Sequence, residues 1–467
     1  FCIGLAGFNH TSPLQNLMTS TDPTTGLPIC ADPKNNVMAQ KTAFVLLDSA
    51  IAGNQCIASV LFRADQPGFL TGLATCEYLI NNLQIYHDHY QDLAVAEYGG
   101  VAIPTVTIYM GGFQRGVELF NETILKNVVV TGATNYLLEN KPEDLVDKIA
   151  AQQTRTFTLL AEHTKYANDL EEIMAMSDKN ERLLEYQNRG LGEKIYQEFA
   201  IRMIKLGDSS NHFSGTFAAG DAIGITKQYL NRGASALICV AGPQSLDTAQ
   251  EIQNQKSKAI VIGVDTAMEN GDYQRYHNGF SKNSNPQEKS SDGYWDSFTD
   301  EDGNHSSESH AIIKFSAIKD LKAITKKIAT LTAKGENWDE SMFEPGTGKA
   351  IPDENRAICG PGFQTCGNIL NGMVSISWDG FVPLLDALEH IQYYVPNQAN
   401  PLSLQEAWPI AMEKYDNITP LPEDYKAAAA DIENLRTYNR YDVVGNETIL
   451  YKNYVYTTGV LGVLLDY

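Results

Sequence analysis

The sequence predicts an α/β protein of two doubly wound parallel-sheet lobes joined by a hinge and carrying helical and loop insertions. Three observations predict it. Short apolar runs alternate with helical stretches through the first 130 residues, the pattern of a parallel sheet covered on both faces. A charged stretch at about 140–200 has apolar residues at three- and four-residue steps, as amphipathic helices require. The strand–helix alternation then returns between 201 and 264.

In chain order, buried strands are expected at 1–5, Ala43–Leu47, 57–61 and 101–106, with a helix over 68–83 that places Leu70, Leu73, Ala74 and Leu79 on one face. The 140–200 stretch reads as a helical insertion, with candidate apolar faces at Leu145, Ile149 and Ala150, then Leu159, Leu160 and Leu170. Further strands are expected at 201–206, Ala236–Val240 and 259–264. Between the first two, a helix over 220–231 ends at Gly233, which supplies a left-handed cap. Residues 270–309 are rich in Asn, Ser, Asp and Gly and read as a long exposed loop. A Lys-bearing helix is expected over 311–333, a strand over 369–376, helices over 380–392 and 422–436, and a Tyr-rich tail. The division that follows is a first lobe at 1–130 lacking its first strand and helix, and a helical insertion at 131–205. A second lobe at 206–310, returning hinge segments at 311–390 and a C-terminal extension at 391–467 complete it.

Composition narrows the function classes. Lys plus Arg total 35 against 57 Asp plus Glu, a formal charge of -22, and so acidic a surface repels polyphosphate and argues against a nucleic-acid groove. Seven cysteines, at 2, 30, 56, 76, 239, 359 and 366, show neither a CxxC pair nor zinc spacing and read mostly as small buried apolar residues. No run of 18 apolar residues is present. No Gly-x-Ser-x-Gly elbow, Walker glycine loop or His-Glu-x-x-His appears, so neither enzyme, cofactor nor metal is expected. His87-Asp88-His89 reads as a solvated loop rather than a metal site. Five Asn-x-Ser/Thr sequons, at Asn9, Asn121, Asn304, Asn417 and Asn446, carry little weight in so Asn-, Ser- and Thr-rich a chain.

Three motifs then bring a resemblance. Leu61-Phe62-Arg63-Ala64-Asp65-Gln66-Pro67-Gly68-Phe69-Leu70-Thr71-Gly72 is an acidic Gly-Phe-Leu-x-Gly strand-to-helix turn. The run from Ile103-Pro104-Thr105-Val106-Thr107 to Met110-Gly111-Gly112-Phe113-Gln114-Arg115-Gly116-Val117 is a Gly/Phe/Gly helix entry, and the third motif runs from Ser214-Gly215-Thr216-Phe217 through Gly233-Ala234 and Val240-Ala241-Gly242 to Val261-Ile262-Gly263-Val264-Asp265. In this order they resemble the basic membrane protein family of purine-nucleoside-binding lipoproteins, which serve ABC transporters. The resemblance covers roughly 1–130 and 205–330, and the insertions and Asn-rich composition are similar to those of mycoplasma proteins. It implies the type I periplasmic-binding-protein fold, an extracytoplasmic and lipid-anchored location, a purine nucleoside as ligand and a permease as partner.

Carried onto this sequence, the resemblance implies that Asp265 accepts hydrogen bonds from ribose hydroxyls, that Phe217 stacks on the base, and that Gly242 lines the cleft. Asp65 and Gln66 fall at the cleft mouth, and Lys319 matches a cleft lysine following the Asp-bearing strand. From the residues alone, alternatives stay open: Asp265 caps a turn, Phe217 is a core ring with Phe213 as its substitute, Asp65 caps the helix opening at Pro67, and Lys319 lies exposed on a helix. The family's first strand, with its Asp-Gly-Gly and Asp-Lys-Ser-Phe-Asn turn, is not in this sequence. The expectation is that Phe1 corresponds to the family's second strand and that earlier sequence, with a lipobox, precedes it. A second function stands beside the first: a surface structural or adhesion-complex protein on the same fold, with ligand binding lost.

Overall fold

Parallel strands divide between two sheets, and the chain passes repeatedly from one to the other. The structure is a computed structural model that describes chiefly residues 43–49, 57–62, 64–90, 93–146, 148–207, 209–268 and 310–321. Shorter stretches include 2–6, 295–296, 363–367, 374–377 and 440–442. Strands β1 (Cys2–Ala6), β2 (Ala43–Leu47) and β3 (Ile57–Phe62) begin the first sheet. Helices α1 (Asp65–Asn81) and α2 (Leu83–Tyr90) lead to β4 (Ala94–Gly99) in the second sheet.

After β4 come α3 (Pro104–Leu119) and α4 (Ala133–Leu137), then α5 (Lys148–His163), α6 (Ala167–Met174), α7 (Lys179–Asn188) and α8 (Leu191–Phe199). The second sheet resumes with β5 (Arg202–Met203), α9 (Ile223–Leu230), β6 (Ala236–Val240), α10 (Gln244–Asn254) and β7 (Ile260–Asp265). Strands β8 (Trp295–Asp296) and β9 (His310–Ala311) form a ribbon. The chain closes with β10 (Ile313–Lys319), β11 (Phe363–Gly367), β12 (Val374–Ile376) and β13 (Arg440–Asp442).

The first sheet runs β1-β2-β3-β11-β13 and the second β12-β10-β7-β6-β4-β5. Pairing is parallel throughout except at β13 and β12, which run antiparallel to their neighbours. The expected α/β class with two parallel-sheet lobes therefore stands. The span 1–130 does not stay within one sheet, because β4 pairs with β6 and α3 packs on the second sheet.

Several expectations are corrected. The strand expected over 101–106 lies instead at β4, and α3 opens at Pro104. Proline has its fixed φ suited to a first helical turn and no N–H to lose there. Glu97, fully buried inside β4, breaks the apolar run that strand reading relies on. The strand expected over 201–206 shrinks to β5. The helix expected from 311 begins as β10, whose Ile313, Phe315 and Ala317 are buried, the period-2 signature of a strand. His87-Asp88-His89 lies in α2, not in a loop, and His87 is buried against the Phe199 ring with its Nε2 3.4 Å from Glu198 Oε1. Helix α9 is shorter than expected but ends before Gly233 at φ 81°. The helices expected over 380–392 and 422–436, the tail, and nearly all of the loop 270–309 lie outside the described residues.

The helices expected over about 140–200 are present as α5–α8. Phe157, Leu160, Leu170, Ile173, Leu191, Ile195 and Phe199 face their core. They dock on two π-helical turns, Phe120–Leu125 and Val128–Gly132, and a Cβ on Gly132 would meet the Gln153 carbonyl at 2.3 Å. The wide turns leave Asn121 facing the chain after α8. Its side-chain amide donates to the Ile201 carbonyl and accepts from the Ile201 N–H, each at 2.9 Å, so the side chain completes a peptide-like pair and is engaged rather than offered as a glycan acceptor. Asn121→Ala is expected to cost about 1–2 kcal/mol in urea melts, because both Ile201 groups lose a partner in a part-buried place.

Helices α1 and α3 make the closest helix contact. A Cβ on Gly68 would lie 2.4 Å from the Tyr109 carbonyl oxygen, one on Gly72 2.3 Å from that of Phe113, and one on Gly116 2.2 Å from that of Phe69. Glycine is required at each, since the backbones themselves touch. This contact fixes where α3 presents Tyr109.

Candidate functional site

Parallel α/β sheets place their functional groups beyond the carboxyl ends of the strands, and both sheets contribute here. Asp48 directly follows β2 in the first sheet, while Asp265 ends β7 and Lys319 ends β10 in the second. The parallel register of β7 and β10 sets Ile318 opposite Asp265, which brings Lys319 alongside. The Lys319 ammonium lies 3.1 Å from each carboxylate oxygen of Asp48 and 3.4 Å from Asp265 Oδ1. One cation thus joins carboxylates that belong to different sheets.

Burial falls off across the cluster from the lysine to Asp265. The Lys319 side chain is 3% exposed, that of Asp48 20% and that of Asp265 39%. Nζ also stands 4.9 Å from the centre of the Tyr109 ring, whose hydroxyl donates to the Ala317 carbonyl at 3.1 Å. Burial lifts the Asp48 carboxyl from its ordinary value to about 6; Lys319 draws it down and Asp265 pushes it up. Burial alone would lower the Lys319 ammonium, yet the two carboxylates outweigh it and hold it above its ordinary value. Burial and the same carboxylates push the Tyr109 hydroxyl well up.

Both carboxylates ride on left-handed backbone, at φ 59° for Asp48 and φ 68° for Asp265. Such conformations cost non-glycine residues energy and concentrate at functional sites. Asp48 Oδ1 and Asp265 Oδ1 are buried and lie 3.1 and 3.4 Å from the Lys319 ammonium. A carboxylate has more lone pairs than one ammonium fills, so each can still accept from a hydroxyl of a ligand.

On the same end of the second sheet, two rings pack on the close of β4. A Cβ on Gly99 would lie 2.8 Å from the Phe213 ring, and one on Gly100 2.5 Å from the Phe217 ring. Phe217 is half-buried in the loop that leads to α9. Strand β6 lies between β4 and β7, so the ring stands about two strand spacings, ~10 Å, from the Asp265 strand. Gly242, at φ 54°, turns the chain from β6 into α10.

Of the residues singled out from the sequence, the structure brings Asp265 and Lys319 together and sets Phe217 and Gly242 along the same sheet end. Lys319 is on a strand and buried, not on an exposed helix. Asp65 is the first residue of α1, with Ala64 at the cap position, so the helix does not open at Pro67. Gln66 is fully buried in that first turn and is not an exposed group at a cleft mouth. Asp48 was missed by sequence reasoning. Its signal was available, a lone carboxylate directly after Ala43-Phe44-Val45-Leu46-Leu47, the same pattern that singled out Asp265.

Comparison with known proteins bears on this geometry. Residues 33–141 match the family model of the PnrA-like ABC transporter substrate-binding proteins, Bmp. Over that stretch the match agrees with the resemblance read from the sequence. The matched span holds Asp48 and Tyr109, so half of the cluster lies within it.

Relatives agree. An uncharacterized lipoprotein, MG040, of Mycoplasma genitalium is 27% identical over 288 residues, 56% of this chain and 42% of that protein. Its homolog in Mycoplasma pneumoniae is 28% identical over 222 residues, 46% of this chain and 30% of that protein. The chain spans less than half the length of these curated relatives. A solved structure of ABC transporter system solute-binding proteins from Aeropyrum pernix K1 covers 92% of this chain and 73% of its own, at 13% identity and a TM-score of 0.41. No helix among the described residues is long and apolar enough to cross a membrane.

Proposed function

We propose that this chain captures a nucleoside-like solute between its two sheets for an ABC-type permease. The observation that carries the reading is the Asp48–Lys319–Asp265 cluster, because a diol bridging Asp48 and Asp265 contacts both sheets at once and holds them closed. Phe217 offers a flat apolar face for a heterocycle on the same sheet end. The cluster is a binding arrangement: Lys319 is held protonated between carboxylates, and no nucleophile paired with a base stands among these side chains. The match to that family and the lipoprotein names of the relatives support an extracytoplasmic, lipid-anchored location.

Thermal unfolding of the full-length protein with single nucleosides tests the reading. A purine nucleoside at about a hundred times its Kd stabilises the native state by ~2.7 kcal/mol. That stabilisation is expected to vanish in Asp265→Ala. If no nucleoside raises the melting temperature, the binding reading fails and the surface structural role, to which the α5–α8 unit lends a large added surface, takes its place.

A further inference from the structure

Gln244 opens α10 with its side chain completely buried, and the proposed ligand-binding role gives it no task. Yet it makes more hydrogen bonds than any other side chain near Phe217. Its Nε2 donates to the Thr216 carbonyl at 3.0 Å and to the Ala218 carbonyl at 2.9 Å, with Thr216 Oγ1 at 3.4 Å. Its Oε1 accepts from Ser214 Oγ at 2.7 Å. One amide therefore grips the backbone on both sides of residue 217. Buried amides earn such satisfaction only when every partner is in place, so the grip is rigid.

The remainder of the loop is held from the same helix and from within. The Gly220 N–H donates to Asp247 Oδ2 at 2.7 Å, and the Ala218 N–H donates to Thr216 Oγ1 at 3.0 Å. The Ser214 and Gly215 N–H groups donate to the Gly99 and Gly100 carbonyls at 2.9 and 2.8 Å. The Phe217 ring itself lies against Gly100. The backbone that carries the ring is thus held by the Gln244 amide, while the ring rests on the end of β4.

We propose that Gln244 is the positioning residue of an aromatic platform, setting the Phe217 ring at the height and tilt at which a planar heterocycle stacks. The inference rests on the nucleoside-binding reading for its ligand, but the fixing of the loop does not. Hydroxyl-bearing ligands without a planar ring gain nothing from it. Selectivity for aromatic bases over free sugars is its consequence.

Two variants of the full-length protein test it. Gln244→Leu removes all the bonds, and Gln244→Glu keeps the shape and the acceptor but loses the donors to Thr216 and Ala218. Chymotrypsin under native conditions, with fragments mapped, is expected to cut after Phe217 at least tenfold faster in both, with other sites unchanged. Binding of a purine nucleoside is expected to weaken about tenfold, the scale of one lost base stack, and to weaken no further when Gln244→Leu is added to Phe217→Ala. Unaltered cutting after Phe217, faster cutting at all sites alike, or an equal loss of affinity in the Phe217→Ala background overturns the proposal. A wild-type protein that binds no nucleoside, with cutting after Phe217 still accelerated in both variants, upholds the fixing of the loop by Gln244 and sinks the nucleoside reading instead.

Discussion

Replacing Lys319 by methionine is expected to cost about 3 kcal/mol or more in urea melts at neutral pH, since removing one partner of a buried pair leaves the other charge uncompensated. The lost ammonium touches Asp48 and Asp265, so two like charges then face each other across the sheets. The deficit depends on pH in a defined direction. Asp48 in the folded wild type sits at about 6, above the ordinary carboxylate value of 3.8, and Lys319 is what draws it down. Without Lys319 the folded value rises further, so between 3.8 and that value the folded variant holds a proton that the unfolded chain has released. Stability of the variant must therefore rise as pH falls through the raised value toward 3.8. The measured gap to wild type is expected to be widest above pH 7 and to narrow steadily on acidification. A gap that is flat from pH 8 to 5 shows that methionine is tolerated for reasons of packing alone.

Gly72→Ala is the second large effect. The added methyl would stand 2.3 Å from the Phe113 carbonyl oxygen, a backbone atom that no rotamer change can withdraw, so α1 and α3 have to separate. Overpacking of this kind costs about 3 kcal/mol, read as a lower urea midpoint with unchanged slope. The consequence reaches the site, because α3 carries Tyr109 beneath the Lys319 ammonium. Weaker nucleoside binding is expected to accompany the loss of stability. Gly224→Ala is the matching control: it lies in α9 with nothing within 4 Å of the built methyl, and is expected to stabilise by about 0.5 kcal/mol through unfolded-state entropy and helix propensity.

How far the sequence was legible depended on whether local pattern and tertiary role agreed. Strands such as Ala43–Leu47 and Ala236–Val240 were readable to the residue, since they are buried on both faces and carry unbroken apolar runs. Strand β4 was hidden by Glu97, and β10 by Lys314 and Lys319, because charges in a strand look like charges on a helix until the partners that hold them are known. Asp265 was legible from the apolar run before it. Asp48 followed an equally good run, but its partner Lys319 is distant in sequence and on the other sheet, and the contact that unites them across the sheets is a tertiary fact. Gln244 carried no sequence signal, since a glutamine in the first turn of a helix is ordinary until its four contacts are seen.

The order in which the sheets are completed has a consequence for how the molecule is made. The central pairing of the first sheet sets β3, ending at Phe62, against β11, starting at Phe363, with the strands β4 to β7 and β10 of the second sheet encoded between them. On a chain emerging from its N-terminus, the lobe that is begun first is finished last. Until β11 arrives, the Ile57–Phe62 edge keeps a free row of backbone donors and acceptors, although Asp48, Asp265 and Lys319 have all been made by then. Pairing across so long a separation is slow to form. The β3–β11 pairing is therefore also a checkpoint of assembly: it forms only after strands β4 to β7 and β10 of the second sheet have been made.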